Sequence, residues 1–197
     1  NSITTYSALT CIAIQSNQND QHGGQAIVNF DYGMAEGIKK SYRKWYLKVI
    51  EEALTLLTDV NVADVMAQLK SLDHQPSLSC QNYVIEEKDV LMHNHISPQI
   101  IERIQKFASE RAYQDTDKET YQAMEALIHN LNTMNSRAGA QVPFSSLNYG
   151  MDTSVEGRMA IRNVLLATEA GLGGGETPIF PIQIFRVKEG INYQKGE

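Results

Sequence analysis

The sequence predicts an α/β chain, rich in helix over most of its length, with parallel strands near 141–149 and 178–187. Three observations carry that expectation. Apolar residues recur at steps of three and four through several long stretches. A strand-like, helix-like, strand-like order closes the chain, as in a parallel sheet or barrel. Hydrophobic residues are 42% of the 197, enough for a core and too many for a disordered chain. The 17 basic and 23 acidic residues leave a net charge of −6, which argues against a nucleic-acid backbone or an anionic membrane as the main partner. No apolar run reaches the roughly 18 residues of a membrane span, and Asn1–Thr5 opens no signal peptide. Cys11 and Cys80 make neither a disulfide framework nor a four-thiolate metal site, so reducing cytoplasm is the expected compartment. The chain starts without Met and stops at Glu197 with no terminating motif. It therefore reads as an internal piece of a longer protein, one partial domain over 1–197.

Residues 1–21 run from apolar to polar, and their periodicity fits a buried strand or a buried helix equally. His22-Gly23-Gly24-Gln25 marks a break. From Glu36 to Leu57, Ile38, Tyr42, Trp45, Val49, Ala53 and Leu56 or Leu57 share one helical face. Lys39, Lys40, Arg43, Lys44 and Lys48 occupy the opposite face. A shorter helix is expected over Val62–Leu72, and residues 73–96 read as irregular and polar, broken at Pro76. Ser97-Pro98 starts a helix, the hydroxyl capping it and proline filling a position whose N–H has no partner. Ile100 or Ile101, Ile104, Phe107 and Ala108 form its stripe. Another helix is expected from Asp117 to Asn132, with Tyr121, Met124, Leu127, Ile128 and Leu131 inward. Gln141–Tyr149 suits a strand. Thr153–Glu156 fits a capping box opening a helix that buries Ile161, Leu165 and Leu172 and stops at Gly171–Gly175. The β-branched run Pro178–Val187 reads as a strand buried on both faces.

Candidate chemistry is sparse. The glycines at 171–175 follow a helix instead of opening one, so they read as a helix stop and not a phosphate cradle. His93-Asn94-His95 lacks a nearby acidic or thiolate ligand at metal-site spacing and reads as surface histidines. Cys11 sits in apolar sequence, where a thiol is inert packing, and Cys80 has no adjacent base. Two features point toward an anionic ligand: the polar stretch Gln18–Gln25 beside paired glycines, and the cationic helix face that follows. Arg137, in a loop entering a strand, is a third candidate contact.

Three stretches carry a resemblance: IQSNQNDQHGGQAIVNFDYGMA (Ile14–Ala35), NTMNSRAGAQVPFSSLNYGMDTSVEGRM (Asn132–Met159) and LLATEAGLGGGETPIFPIQIFRVKEGIN (Leu165–Asn192). In this order they resemble the anaerobic, glycyl-radical ribonucleoside-triphosphate reductases. The resemblance implies part of a ten-stranded α/β barrel of two parallel half-barrels, with 1–72 supplying effector and dimer-interface helices and 97–197 further helices and barrel strands. It implies an oxidoreductase acting on ribonucleoside triphosphates, dNTP and ATP effectors, a homodimer, and a radical S-adenosylmethionine activase. The implied cofactors of the whole enzyme are a glycyl radical and a structural zinc, with formate as reductant. Neither active-site thiol of the family matches Cys11 or Cys80, so no catalytic or metal-binding residue is expected in this piece. On the same alignment Lys44 matches an effector-contacting lysine, with Gln15 and Ile12 beside that pocket. Arg137, Asn148 and Gln183 are the expected substrate rim. The competing reading is a non-catalytic nucleotide-binding or dimerisation module on the same scaffold.

Overall fold

Steps of three and four in the apolar pattern dictate helices, and helices make up most of the fold. The computed structural model describes residues 2–21, 23–79, 81–135 and 141–196. In chain order these form α1 (Ile3–Asp20), β1 (Gln25–Ile27), α2 (Phe30–Leu57), α3 (Val62–Lys70), α4 (Gln81–His93), α5 (Pro98–Thr133), β2 (Ser145–Tyr149), α6 (Val155–Ala170) and β3 (Ile182–Phe185). The chain divides into two compact units, one of residues 1–38 with 117–197, the other of residues 39–116. None of the described helices is long and apolar enough to cross a membrane.

The first unit holds a parallel sheet of order β1-β2-β3. Both strands expected in the last third are present and pair in parallel. The third, β1, was not expected, because three residues after a glycine pair leave no visible alternation. In register, Gln25 lies beside Ser145, Leu147 beside Gln183 and Tyr149 beside Phe185. Side chains alternate across a strand, so these residues share one face, and α6 covers it: the Gln183 amide donates to Thr168 Oγ1 at 3.2 Å. Ala26, Ser146, Asn148, Ile182 and Ile184 share the other face. Here the expectation of a strand buried on both faces fails. Ile182 is 56% and Ile184 41% exposed, and Phe185, on the α6 face, is 54% exposed. Asn132, near the end of α5, fixes the approach to β3 by accepting the N–H groups of Ile179 and Phe180 at 3.0 and 3.1 Å.

The helices correct several boundaries. Of the stretch 1–21, Ile3–Asp20 form helix, α1, burying Ile3, Cys11 and Ile14. Helix α1 and helix α2 approach closely at Gly37, where a Cβ would sit 3.1 Å from Ile3 Cα and 3.0 Å from Tyr6 Cγ. The α2 stripe holds at Ile38, Tyr42, Val49 and Ala53 but ends on Leu54, since Leu56 and Leu57 are exposed. The two helices expected after Ser97 are one, α5. The polar stretch that seemed to divide them contains no Gly or Pro, and Ala108, Ala112, Thr116 and Thr120 continue a buried row at four-residue steps. Phe107 lies exposed beside that row. Helix α6 starts one residue later than expected: Ser154 is its cap, accepting from the Gly157 N–H at 3.0 Å. Its buried face is Met159, Ala160, Val164 and Ala167, and Leu165 is exposed. The helix stops at Gly171, as expected.

In the second unit, the described residues 73–79 are irregular as expected, but α4 occupies 81–93 of the stretch read as irregular. Its buried positions are Tyr83, Glu87 and Leu91, at steps of four; a carboxylate in mid-stripe hid the period. Around them pack Tyr46, Ile50, Leu54, Leu69, Ile101 and Ile104. Glu87 is fully buried, and one oxygen accepts the Tyr46 hydroxyl at 3.2 Å. Burial pushes its carboxyl up to about 7, against the pull of neighbouring polar groups on Tyr83, Gln105 and Tyr46. The folded value lies above the unfolded one, so the stabilising contribution is complete below about 4.5 and disappears as pH rises through about 7. Chemical unfolding followed by Trp45, the single tryptophan, is expected to show Glu87→Gln gaining about 3 kcal/mol on the parent between pH 4.5 and pH 8.

Candidate functional site

Ligands of open parallel sheets bind beyond the carboxyl ends of the strands, and that edge is the organised part of the first unit. Asp31, one residue into α2, is 1% exposed. A buried carboxylate requires hydrogen-bond donors, and the chain leaving β2 supplies them. Asp31 Oδ2 accepts the N–H groups of Gly150, Met151 and Asp152 at 2.8, 2.9 and 3.0 Å, and its Oδ1 faces the Tyr32 N–H at 3.0 Å. The Tyr32 hydroxyl donates to the Met151 carbonyl at 3.0 Å. Gly150 has φ +113°, and a Cβ there would lie 2.7 Å from the Arg186 carbonyl oxygen, so this position requires glycine. Asn192 closes the other side, donating to the carbonyls of Gly150 and Arg186 at 2.6 and 2.9 Å and accepting the Lys188 N–H at 2.8 Å.

Beside this knot lies a cavity of about 470 Å³ lined by Gly150, Asp152, Arg158, Arg162, Phe185 and Asn192, among others. Arg162 is paired with Asp117. Asp152 accepts the Ser154 N–H at 2.9 Å. The loop amides are consumed by Asp31 and the Ser154 hydroxyl by Gly157, so a ligand here would be held by guanidinium groups and the Phe185 ring. The Asp152 carboxylate and the Thr153 hydroxyl also line the cavity.

The expected rim residues do not converge. Gln183 lies on the helix-covered face, bonded to Thr168. Asn148 lies on the opposite face, one register position from the Leu147–Gln183 pair, and its Oδ1 is buried without a partner among the described residues. Arg137 lies outside the described residues, as do His22 and Cys80. Ile12 and Gln15 are three apart on α1 and so neighbours on its surface. Ile12 is exposed, whereas Gln15 is half-buried with its amide nitrogen unpartnered among the described residues.

In the second unit, Lys39, Lys40, Arg43, Lys44 and Lys48 are all exposed along α2, as the pattern predicts. The Lys44 and Lys48 ammonium groups stand 4.5 and 5.0 Å from the centre of the Trp45 ring. Such cation–π contacts orient both cations at about 0.5–1 kcal/mol each when exposed. Trp45 is half-buried and packs against the core, as its place in the stripe predicts, and its position between two lysines one turn apart lets its ring carry both cations as well. The sequence reading missed Asp31, its signal being an acidic residue in a first helical turn. His93 is engaged with the Asp89 carbonyl at 2.8 Å. Among the described residues no group of three His, Cys, Asp or Glu could hold a metal ion.

By fold, this is an α/β protein whose parallel sheet is tied together at its carboxyl edge. The chain belongs to the anaerobic ribonucleoside-triphosphate reductase family, whose sequence model matches residues 1–197. It is similar to the anaerobic ribonucleoside-triphosphate reductase of Escherichia coli (strain K12), 36% identical over 83 residues, covering 42% of this chain and 12% of that protein. The enzyme of the same name from Enterobacteria phage T4 is 37% identical over 87 residues, covering 44% and 14%. That from Haemophilus influenzae is 34% identical over 82 residues, covering 41% and 12%. The matched segment thus spans 12–14% of the length of these relatives.

The Asp31 cluster yields a direct expectation. Asp31→Ala strands the buried Gly150 and Asp152 N–H groups and is expected to cost about 3 kcal/mol in denaturant unfolding; Asp31→Asn, keeping one acceptor without the charge, about half that. Equal stability of both variants and the parent would contradict this.

Proposed function

We propose that the whole protein containing this chain is an oxidoreductase that converts ribonucleoside triphosphates to deoxyribonucleoside triphosphates by glycyl and thiyl radical chemistry. The observation that carries this reading is the family match over residues 1–197. In support, the three sequence stretches that resemble the family fall on α1 through the start of α2, on β2 with the start of α6, and on the end of α6 with β3. The activity is read for the whole protein, because the matched segment spans 12–14% of the relatives' length. Cys11 is buried in α1, and burial pushes its thiol up, away from the reactive thiolate range. No described cluster fits a zinc ion. The radical glycine, the thiyl cysteine, the structural zinc and the site of formate as reductant are therefore assigned to none of the described residues, and no step is derived through them.

Within this reading the three strands form part of a ten-stranded barrel of two half-barrels. Asn148, Gln183 and Arg137 stand at or near its substrate rim. Lys44, oriented on Trp45, contacts the triphosphate of a dNTP or ATP effector, while Gln15 and Ile12 belong to the effector pocket. The enzyme works as a homodimer in the cytoplasm and depends on a radical S-adenosylmethionine activase.

Anaerobic activation of the whole protein is expected to give deoxynucleotide from at least one ribonucleoside triphosphate; no product from any of them would end this reading. Lys44→Ala is expected to weaken effector affinity about tenfold, the loss of one charge-assisted contact. An unchanged effector titration would remove Lys44 from the pocket.

A further inference from the structure

At the carboxyl edge of the sheet one charged side chain is held in place without a counter-charge. Arg186 directly follows β3, and its backbone is fixed on both sides. Its N–H donates to the Tyr149 carbonyl at 2.8 Å, and its own carbonyl accepts the Asn192 amide at 2.9 Å. The side chain is fixed as well: Nη1 donates to the Val28 carbonyl at 3.2 Å and to Asn29 Oδ1 at 3.0 Å, beyond the end of β1. An exposed arginine ordinarily keeps its rotamer freedom, whereas this one is exposed and yet tied to two acceptors.

Both acceptors are neutral, and no carboxylate among the described residues pairs with the guanidinium. Asp31, the carboxylate nearest to them in sequence, is taken up by the Gly150, Met151 and Asp152 amides. A guanidinium carries five N–H donors, and those on Nε and Nη2 meet no acceptor among the described residues. Register places this group over the sheet. Val28, the residue after the Ile27–Leu147 pair, comes level with Asn148 on β2, which pairs with Ile184 on β3. A side chain that starts beyond β3 and ends on the Val28 carbonyl therefore crosses the end of β2, beside Asn148. Ala26, Ser146, Asn148, Ile182 and Ile184, which share the face opposite α6, are all neutral. Ligands of parallel sheets bind at this edge, and a fixed fork of donors with uncancelled charge fits phosphate oxygens.

We propose that Arg186 binds the phosphate groups of the ribonucleoside triphosphate, the Val28 and Asn29 bonds holding its guanidinium across the end of β2 with the remaining donors toward the ligand. The inference rests on the reductase reading for the identity of that ligand. It adds to the Asn148 side of the rim the cation that the neutral residues of that face lack.

Calorimetric titration of the whole protein with CTP, a substrate on that reading, and with dATP, an effector, tests this. Arg186→Met, which keeps an unbranched stem without the charge, is expected to bind CTP about tenfold more weakly and dATP as the parent does. Arg186→Lys, which keeps the charge without the fork, is expected to recover part of that loss. A parent without saturable CTP binding, or an Arg186→Met variant with the parent's CTP affinity, would overturn the proposal. So would equal loss of CTP and dATP binding, which would make Arg186 only a tie between the ends of β1 and β3. Anaerobic turnover separates this inference from the reading beneath it. Arg186-dependent CTP binding by an activated protein that forms no deoxynucleotide would sink the reading and leave the phosphate site standing; deoxynucleotide formation with CTP affinity unaltered in Arg186→Met would do the reverse.

Discussion

A single buried carboxylate organises the first unit. Asp31 sits where β1 gives way to α2, and its Oδ2 takes three consecutive amides from the chain leaving β2. In a parallel sheet the strand ends are far apart in sequence, here by 119 to 121 residues, and ladder hydrogen bonds alone fix the strands only along their length. The Asp31 cluster adds a fixed point beyond the ladder. From it follow the left-handed turn at Gly150, the cap at Ser154 and the cavity beside α6. Asn192 performs the complementary task after β3, tying Gly150 to the chain beyond Arg186.

This constraint also explains what the sequence could and could not convey. Helices with clean apolar stripes, such as Ile38-Tyr42-Val49-Ala53, were legible because burial there follows a fixed period. The parallel pairing of the last two strands was legible from strand, helix and strand in succession. Helix α4 was hidden because Glu87 interrupts its stripe, and α5 looked divided because its middle turns bury alanine and threonine instead of large apolar residues. Strand β1 is too short to show alternation.

The site was legible in composition more than in geometry. The cationic face of α2 emerged as read, yet its most specific feature, two ammonium groups over the Trp45 ring, depends on side-chain directions that periodicity assigns to the core. The rim residues illustrate a different limit. Asn148 and Gln183 both stand on strands near the carboxyl edge, but register sets them on opposite faces, and a shift of one residue reverses a side chain's direction. Asp31 and Asn192 act through backbone amides and carbonyls that become partners only in the fold.

The most direct test of the central role of Asp31 is native-state hydrogen exchange at the amides of Gly150, Met151 and Asp152. Held by a buried carboxylate, they are predicted to exchange as slowly as the amides of β2 itself. Exchange at the rate of an open loop, with β2 still protected, would show that the sheet edge is organised by something other than Asp31.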